Sequence, residues 1–447
     1  MKGAYLILGL GRATRAIVHF LLKRGGVVFG YDKDWEKGKE FIKKKNFTFI
    51  SQEEISSLDK DLIIITSPGI AEDSEVSKLA RKQGEIISDI EFVYQYLYSR
   101  QAPHPIIVAI TGTNGKSTTT ALLGSILRKA GKKVFWGGNI APGKPAARAL
   151  NEKKEIFVFE VSSFQLEKIK DFKPNLSILL NISPDHLDRY RNLEEYISAK
   201  ANIFSNQTET DLAILNYDDP RVRVLKNKIR ARVFYFSCKS EVFGAYLQNG
   251  VIYTKEGKKG KRLLSLAEIK INHHLHIENT LAASLAATIL GVKPREIKEG
   301  IKEFPGLPHR LEKVISLSGV DYINNSMATN PAALVNSLRR FKKPVILIAG
   351  GQNKGFPLKE YVKPIKERCK YTILIGDVRK RLYEEFSPDE RKKVYCADSL
   401  REAVLKASEI AKRNDIVLFS PGFASFDMFK NFMARGEAFK RIVGSLR

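Results

Sequence analysis

Short apolar runs recur along this chain, separated by amphipathic stretches of helical length. Ala4 to Leu8 is followed by a helical pattern from about Arg12 to Arg24. A second run, Val27 to Tyr31, ends on Asp32, and a third, Leu62 to Thr66, runs into Ser67-Pro68-Gly69. Continuous apolar runs of this kind predict parallel strands buried on both faces, with helices between them. The pattern breaks at the proline-punctuated linker Gln101-Ala102-Pro103-His104-Pro105 and resumes with Ile106 to Ile110, Ile156 to Val161, Leu176 to Ile182 and Leu212 to Asn216. A β-rich segment from Val233 to Ile271 follows, with turns at Asn249-Gly250 and between Gly257 and Gly260. The Ala/Leu-rich stretch Glu278 to Leu290 predicts a buried helix, and Pro305-Gly306-Leu307-Pro308 marks another boundary. Beyond it the βα rhythm returns: strands at Val320 to Ile323, Val345 to Ala349, Tyr371 to Ile375 and Ile416 to Phe419, and helices at Pro331 to Arg340, Leu400 to Lys412 and from about Phe426.

The stretch with the clearest chemistry is Thr111-Gly112-Thr113-Asn114-Gly115-Lys116-Ser117-Thr118. A strand that turns through two glycines into a helix carrying Lys-Ser at its first turn gathers backbone N–H groups, a cation and a hydroxyl around one anion. This predicts a nucleotide triphosphate cradle, in a variant form, because Ile110 stands where the usual loop has its first glycine. The expected fold is therefore α/β in three domains. Residues 1–102 form a Rossmann-like domain, 103–306 a central P-loop ATPase domain with a mostly parallel sheet and a small β-rich part, and 307–447 a doubly wound, Rossmann-like domain. A chain of 447 residues exceeds what one core of about 250–300 residues usually accommodates.

Composition narrows the setting. No apolar run reaches the ~18 residues of a membrane span, and Ala4 to Leu8 is too short for a signal-peptide core, so a cytoplasmic protein without a membrane partner is expected. Cys238, Cys369 and Cys396 have no metal-like spacing and suit a reducing compartment. The formal charge of +26 comes from 75 scattered Lys and Arg with no nucleic-acid module beside them. It is read as a steering field for anionic substrates or a lysine-rich surface, and no nucleic-acid partner is expected.

Gly9-Leu10-Gly11 after the first strand, with Asp32 after the second, is half of a dinucleotide fingerprint in which Thr14 replaces the third glycine. It serves either a nucleotide diphosphate or close packing, and does not point to a nicotinamide cofactor. Glu160 and His186 follow the second and third central strands, whose carboxyl ends face the same crevice as the phosphate loop. Glu160 and the Ser117 hydroxyl suit a hard cation such as Mg²⁺; His186 is a less usual ligand and could instead cap or pack.

Together, Gly112 to Thr118, Glu160-x-Ser162-Ser163-Phe164-Gln165-Leu166 and Asp185-His186-Leu187-Asp188-Arg189 resemble the Mur ligases over essentially the whole chain. Gly137-Gly138-Asn139, Ser198-Ala199-Lys200, Gly306-Leu307-Pro308-His309-Arg310, Gly350-Gly351-x-x-Lys354 and Ser420-Pro421 with Ala424-Ser425 through Arg435-Gly436 extend the match. The form Ser-Ser-Phe-Gln-Leu with Asp-His-Leu-Asp-Arg-Tyr is most similar to the branch that adds D-glutamate to UDP-N-acetylmuramoyl-L-alanine. The resemblance implies a monomeric, ATP- and Mg²⁺-dependent ligase of cell-wall precursor synthesis that works through an acyl phosphate, with Lys116, Glu160, His186 and Lys200 as its catalytic set. Ser117 would bind a first Mg²⁺; Glu160, His186 and Lys200, the last as a carbamate, would serve a second. Gly112, Thr113, Asn114, Gly115, Lys116, Ser117, Thr118, Asn139, Asn279, Arg310 and Asn325 would hold ATP. Gly9, Gly11, Asp32, Ser67, Gly69, Asn139 and Ser162 would hold the UDP sugar, and Thr329, Lys354, Ser425 and the Phe432 backbone the incoming amino acid. Without the family, Lys200 would read as a solvated charge, and Ser425-Phe426-Asp427 as a helix N-terminus able to receive a carboxylate.

The chain departs from the family at Asn325 and Met327, which stand where Asp and Lys are usual. Losing both charges together preserves local neutrality, so the site is expected to work, with nucleotide grip and acceptor choice open to change. His273-His274-Leu275-His276 replaces most of Gly-x-His-Asn-x-x-Asn before Asn279 and reads as an adenine-side contact or a polar turn in preference to a metal site. Arg12-Ala13 replaces an apolar residue and a threonine. Rival readings are a ligase of the same mechanism with another substrate, such as L-glutamate or a folate, and a non-catalytic nucleotide-binding protein.

Overall fold

The apolar runs pair into three sheets, all mainly parallel. In the computed structural model, residues 3–59, 61–100, 102–141, 143–186, 189–268 and 277–446 are described. The histidine cluster at His273, His274 and His276, and Leu187 and Asp188, lie outside them. Strands Ala4–Leu8, Val27–Tyr31, Phe47–Phe49, Ile63–Thr66 and Ile86–Ser88 (β1 to β5) take the order β3-β2-β1-β4-β5, all parallel. The sequence pattern missed β3 and β5, which are three residues each and lack a sustained apolar run. Winding reverses at β1, so the turns after β1 and β4 face each other across a crevice, the usual place for a ligand in an open parallel sheet. The turn after β1 depends on Gly9: its φ is +81°, and a Cβ there would come 2.9 Å from the Ser67 Cβ.

The second sheet is built from Ile106–Thr111, Val134–Gly138, Ile156–Glu160, Leu176–Leu179, Leu212–Asn216, Arg232–Ser237, Gly244–Gln248, Val251–Lys255 and Lys261–Ser265 (β6 to β14). Its order is β14-β13-β12-β11-β10-β9-β6-β8-β7, so winding reverses again at β6, the strand that feeds the phosphate loop. The β-rich segment extends this same sheet, because β12 pairs in parallel with β11 before the antiparallel hairpins begin. Asn249 and Gly250 join β12 to β13 with φ of +49° and +74°, the left-handed two-residue turn that Asn-Gly favours.

The third sheet comprises Glu312–Leu317, Val320–Asn324, Val345–Gly350, Cys369–Ile375, Val394–Cys396 and Ile416–Gly422 (β15 to β20), in the order β15-β16-β20-β17-β18-β19. Only β15 is antiparallel. Apolar clusters cover both faces. The terminal helix runs Phe432–Gly444, which corrects the expected start near Phe426. Asn431 sets the boundary, its side chain accepting the Ala434 N–H at 2.9 Å. No helix among the described residues is long and apolar enough to cross a membrane.

The chain packs as two compact units, one reaching Phe304 and one beginning at Pro305. Within the first, one apolar cluster runs from Ile7 and Phe92 to Phe157 and Phe172. Two buried carboxylates at the start of the helix Asp89–Arg100 reinforce the seam between the first two sheets. Glu91 accepts the N–H groups of Lys170 (2.8 Å), Asp171 (3.0 Å) and Phe172 (2.9 Å). Asp89 accepts from Gln165 Nε2 at 2.8 Å, and Gln165 Oε1 in turn receives the Ser162 N–H at 3.0 Å. Burial pushes the Asp89 carboxyl up to about 6, against the opposing effect of the Gln165 hydrogen bond.

Two outcomes follow for this seam. Glu91→Gln replaces an acceptor with a donor facing backbone N–H groups and should destabilise the larger unit by roughly 2–4 kcal/mol, read as a lowered urea midpoint. Asp89 has a raised pKa in the folded state, so its favourable contribution is present below the ordinary carboxyl range and is lost as pH rises through about 6. Asp89→Asn should therefore match the wild type near pH 4 and exceed it by roughly 1–3 kcal/mol at pH 7; a stability difference independent of pH would contradict this.

Candidate active site

The phosphate loop is held in shape by the segment after β9. Thr113 N–H donates to Asn181 O at 2.9 Å, while Asn181 Oδ1 accepts the Asn114 N–H at 2.8 Å and its Nδ2 donates to Asn114 O at 3.1 Å. The Thr113 hydroxyl accepts the Ser183 N–H at 3.1 Å and lies 3.3 Å from the Tyr196 hydroxyl. Gly115, at φ +87°, has no room for a side chain: a Cβ would stand 2.4 Å from Asn279 Oδ1. The helix Lys116–Lys129 starts here, and the N–H groups of its first turn, which have no intrahelical acceptors, suit an anion. Asn279 Nδ2 is buried with no acceptor among the described residues, which suits a donor awaiting a ligand beside this loop.

Two lysines converge on one carbonyl of the loop. Lys116 Nζ donates to Gly112 O at 2.8 Å and to Thr113 O at 2.9 Å, and Lys200 Nζ donates to the same Gly112 O at 3.0 Å. Lys200 is only 2% exposed, with its Nζ 4.4 Å from the Tyr196 ring centroid. Burial, then the charge of Lys116, holds its amine well below the usual lysine range, while Asp185 and Glu160 act in the opposite sense. Glu160 is buried at the end of β8, and its backbone oxygen accepts the Asn139 N–H at 2.9 Å. His186 lies at the rim, φ +55°, with its ring 4.8 Å from Phe164 and its N–H donating to Asp185 Oδ1 at 3.0 Å.

Among the described residues no three His, Cys, Asp or Glu side chains form a ready metal cluster. The buried Glu160 carboxylate and Ser117 hydroxyl are oxygen donors of the kind Mg²⁺ takes alongside phosphate oxygens. A Lys200 ammonium would repel the ion, whereas a carbamate on the same nitrogen would be a further oxygen ligand. The donor set fits the metal on that condition.

At the first sheet, Asp32 organises the expected UDP-sugar side. Its carboxylate accepts the N–H groups of Leu10 (2.8 Å) and Asp34 (2.9 Å) and meets Lys37 Nζ at 3.1 Å. Burial raises its pKa, but these bonds outweigh it and leave the carboxyl below its ordinary value. Thr14 explains the missing third glycine: its buried hydroxyl donates to Gly9 O at 2.5 Å and fastens the turn. Ser67 N–H donates to Leu8 O at 2.8 Å, and Gly69 is open to solvent. Arg189 ties this side to the centre, donating to Pro68 O (3.2 Å) and Glu167 (2.7 Å) with its guanidinium 4.0 Å from the Phe164 centroid. Ser162 caps the short helix Ser163–Leu166, and Asn139 is exposed.

In the second unit, loops after β16, β17 and β20 converge on Arg435, a fully buried residue whose role the sequence reading did not assign. Arg435 donates to Ser326 Oγ, Ser326 O and Ala424 O, each at 3.1 Å, and burial lowers its pKa to about 10. Its signal was an arginine at a core-facing position of an otherwise amphipathic helix. Gly422 N–H donates to Ala328 O at 2.9 Å, next to Thr329, and Phe432 O accepts the Ser326 hydroxyl at 2.8 Å. Ser425 is buried in a turn, its carbonyl accepting the Phe429 N–H at 2.8 Å; the helix begins only at Phe432, so Ser425 is not at a helix N-terminus. Lys354 Nζ lies 5.2 Å from the Phe426 ring centroid. Asn325 uses both ends of its amide, accepting the Leu311 N–H at 3.2 Å and donating to Ser420 Oγ at 3.0 Å. Arg310 Nη2 reaches the Met327 sulfur at 3.2 Å.

Comparisons with known proteins identify the family. The profile of the Mur ligase middle domain matches residues 110–288, and that of the Mur ligase glutamate ligase domain matches residues 309–423. The UDP-N-acetylmuramoylalanine--D-glutamate ligase of Thermoanaerobacter pseudethanolicus is 40% identical over an alignment covering 99% of this chain and 98% of its own. The protein of the same name from Caldanaerobacter subterraneus subsp. tengcongensis is 38% identical with the same coverage. A solved UDP-N-acetylmuramate-alanine ligase from Thermotoga maritima shares the fold, with a TM-score of 0.63 at 20% identity and 100% coverage of both chains. With near-full-length identity to these relatives and both family domains present, the chain belongs to the Mur ligase family.

Proposed function

We propose that this ligase joins D-glutamate to UDP-N-acetylmuramoyl-L-alanine at the expense of ATP, in peptidoglycan precursor synthesis. The γ-phosphoryl group passes to the terminal carboxylate of the UDP sugar and ADP leaves. The amine of the amino acid then attacks the acyl carbon, expels phosphate and loses a proton. Residues 1–102 hold the UDP sugar, 103–306 the nucleotide and 307–447 the amino acid. The names of the relatives support the substrates, and one observation carries the chemistry: Lys116, Glu160 and Lys200 share the crevice at the end of β6 and β8.

A carboxylate and a triphosphate repel each other, and Lys116 with the helix N-terminus supplies the positive potential that lets them approach. Mg²⁺, when bound, neutralises phosphate charge and polarises the transferring group. Ser117 would hold one ion, and Glu160, His186 and Lys200 would serve a second. For Lys200 this requires a carbamate. Its neutral amine would attack CO₂: the C–N bond forms as one C=O π bond opens onto oxygen, a proton leaves to solvent, and a carbamate anion replaces the neutral amine. The depressed basicity of the buried amine favours this step, since only the unprotonated nitrogen is nucleophilic. Asn139, Asn279, Arg310 and Asn325 contact the nucleotide, and Thr329, Lys354, Ser425 and the Phe432 backbone the amino acid. A second reading, the same chemistry with another acceptor such as L-glutamate, rests on Met327, which removes a cation from the amino-acid side.

Phosphate release from ATP with UDP-N-acetylmuramoyl-L-alanine, challenged with D-glutamate, L-glutamate and other amino acids in turn, separates these readings. D-glutamate is expected to drive release; release with another acceptor alone removes the assignment, and no release with any acceptor removes the enzyme. Lys200→Ala should lower activity by on the order of 100-fold, with partial recovery on adding formate or acetate as a replacement ligand. Absence of recovery would count against the carbamate.

A further inference from the structure

Arg12 is the first residue of the helix Arg12–Lys23, directly after Gly11, and stands where the family commonly has an apolar side chain. A cation at a helix N-terminus opposes the macrodipole and is disfavoured unless an anion compensates it. Its guanidinium crosses to the central sheet, where Nη2 donates to Ile140 O and, at 2.9 Å, to Gly143 O. Nη2 is the donor in both bonds, and the residue remains exposed. Burial lowers the pKa of the guanidinium, and the charge of Glu160 acts in the opposite sense.

The loop it holds is the one that carries Asn139. The base of this loop is closed by Gly138 N–H donating to Lys144 O at 2.9 Å and Asn139 N–H donating to Glu160 O at 2.9 Å. Its outer carbonyls have Arg12 as their partner. Beside the contact opens a cavity of about 910 Å³ whose lining includes Gly11, Arg12, Lys37, Lys144 and Arg148. Arg15 and Lys37 are paired with Glu40 and Asp32, and Glu152, which also lines the cavity, with Lys154; Arg12, Lys144 and Arg148 form no ion pair among the described residues, so the lining carries excess positive charge.

We propose that Arg12 is a positioning residue for the UDP sugar: Nη2 ties Ile140 and Gly143 to the first sheet, and the remaining guanidinium donors face the diphosphate. The proposal rests on the reading of the substrate as a UDP sugar. A guanidinium can serve two carbonyls and a phosphate at once because its donors lie in a fixed planar fork, which a lysine cannot reproduce.

The test compares wild type, Arg12→Lys and Arg12→Leu in steady-state kinetics, calorimetric binding of UDP alone, and thermal melting. Arg12→Leu should raise the KM for the UDP sugar by about 10-fold or more and weaken UDP binding in parallel, with kcat within about 3-fold and any rise in the KM for ATP, through Asn139, smaller than that for the UDP sugar. Arg12→Lys keeps the charge and loses the fork, so its KM should fall between. Wild-type KM and UDP affinity in Arg12→Leu would overturn the proposal, as would equal loss in both variants accompanied by a lowered melting temperature, the mark of a merely structural role. Should Arg12→Leu not fold, the Arg12→Lys value decides, with an unchanged KM overturning it. Wild-type protein that binds no UDP and turns over no UDP sugar would instead sink the substrate reading itself.

Discussion

The central site is governed by the cost of placing two lysines on one carbonyl. Gly112 O accepts from both Lys116 and Lys200, and Lys200 is buried almost completely. Two ammonium groups that close in a poorly hydrated crevice cannot both keep their protons without large compensation. Glu160 and Asp185 supply part of it, yet burial and Lys116 still dominate Lys200. The consequence is a division of labour. Lys116 reaches both Gly112 O and Thr113 O of the phosphate loop, and Lys200 is the amine whose basicity burial and Lys116 depress. Gly112 makes this possible by its backbone, at φ +147°, where a Cβ would press on Leu180 at 3.0 Å.

Much of this was legible in the sequence because it is local. The phosphate loop, the strand ends that carry Glu160 and His186, and the Asn-Gly hairpin are each written in a few adjacent residues. What was not legible is what burial decides. Lys200 on its own reads as a solvated charge, and nothing within a few residues says that Tyr196 and the Gly112 carbonyl enclose it. Likewise Glu91 and Asp89 sit in a helix whose polar residues suggest an exposed face, yet both are buried because their acceptors are matched by N–H donors about eighty residues away. Ser425 was misplaced at a helix N-terminus for a related reason: Asn431, six positions later, is the better cap, and capping competes locally.

The two switch points in the larger unit show how one constraint is reused. In each sheet the strand at which winding reverses ends in a glycine turn that an adjacent strand end overhangs. Ser67 overhangs Gly9 in the first sheet, and Asn181 braces Thr113 and Asn114 in the second. The side chains that bridge the two crevices are arginines, Arg189 to Pro68 and Arg12 to Ile140 and Gly143. Guanidinium suits this work, since it binds several carbonyl oxygens in fixed geometry and keeps its charge in partial burial.

Asn325 and Met327 can be judged in the same terms. A carboxylate at 325 would accept the Leu311 N–H and the Ser420 hydroxyl; the amide accepts the first and donates to the second, so both contacts survive without charge. An ammonium at 327 would stand against the Arg310 guanidinium, which here meets a thioether sulfur instead. Removing the lysine relieves a like-charge contact, and removing the aspartate deletes the anion that would have balanced it. The pair of changes therefore preserves the geometry around Arg310 and shifts only the local field. Any effect on the enzyme should fall on ligands whose charge is felt there, and the phosphate loop with its lysines is under no pressure to change.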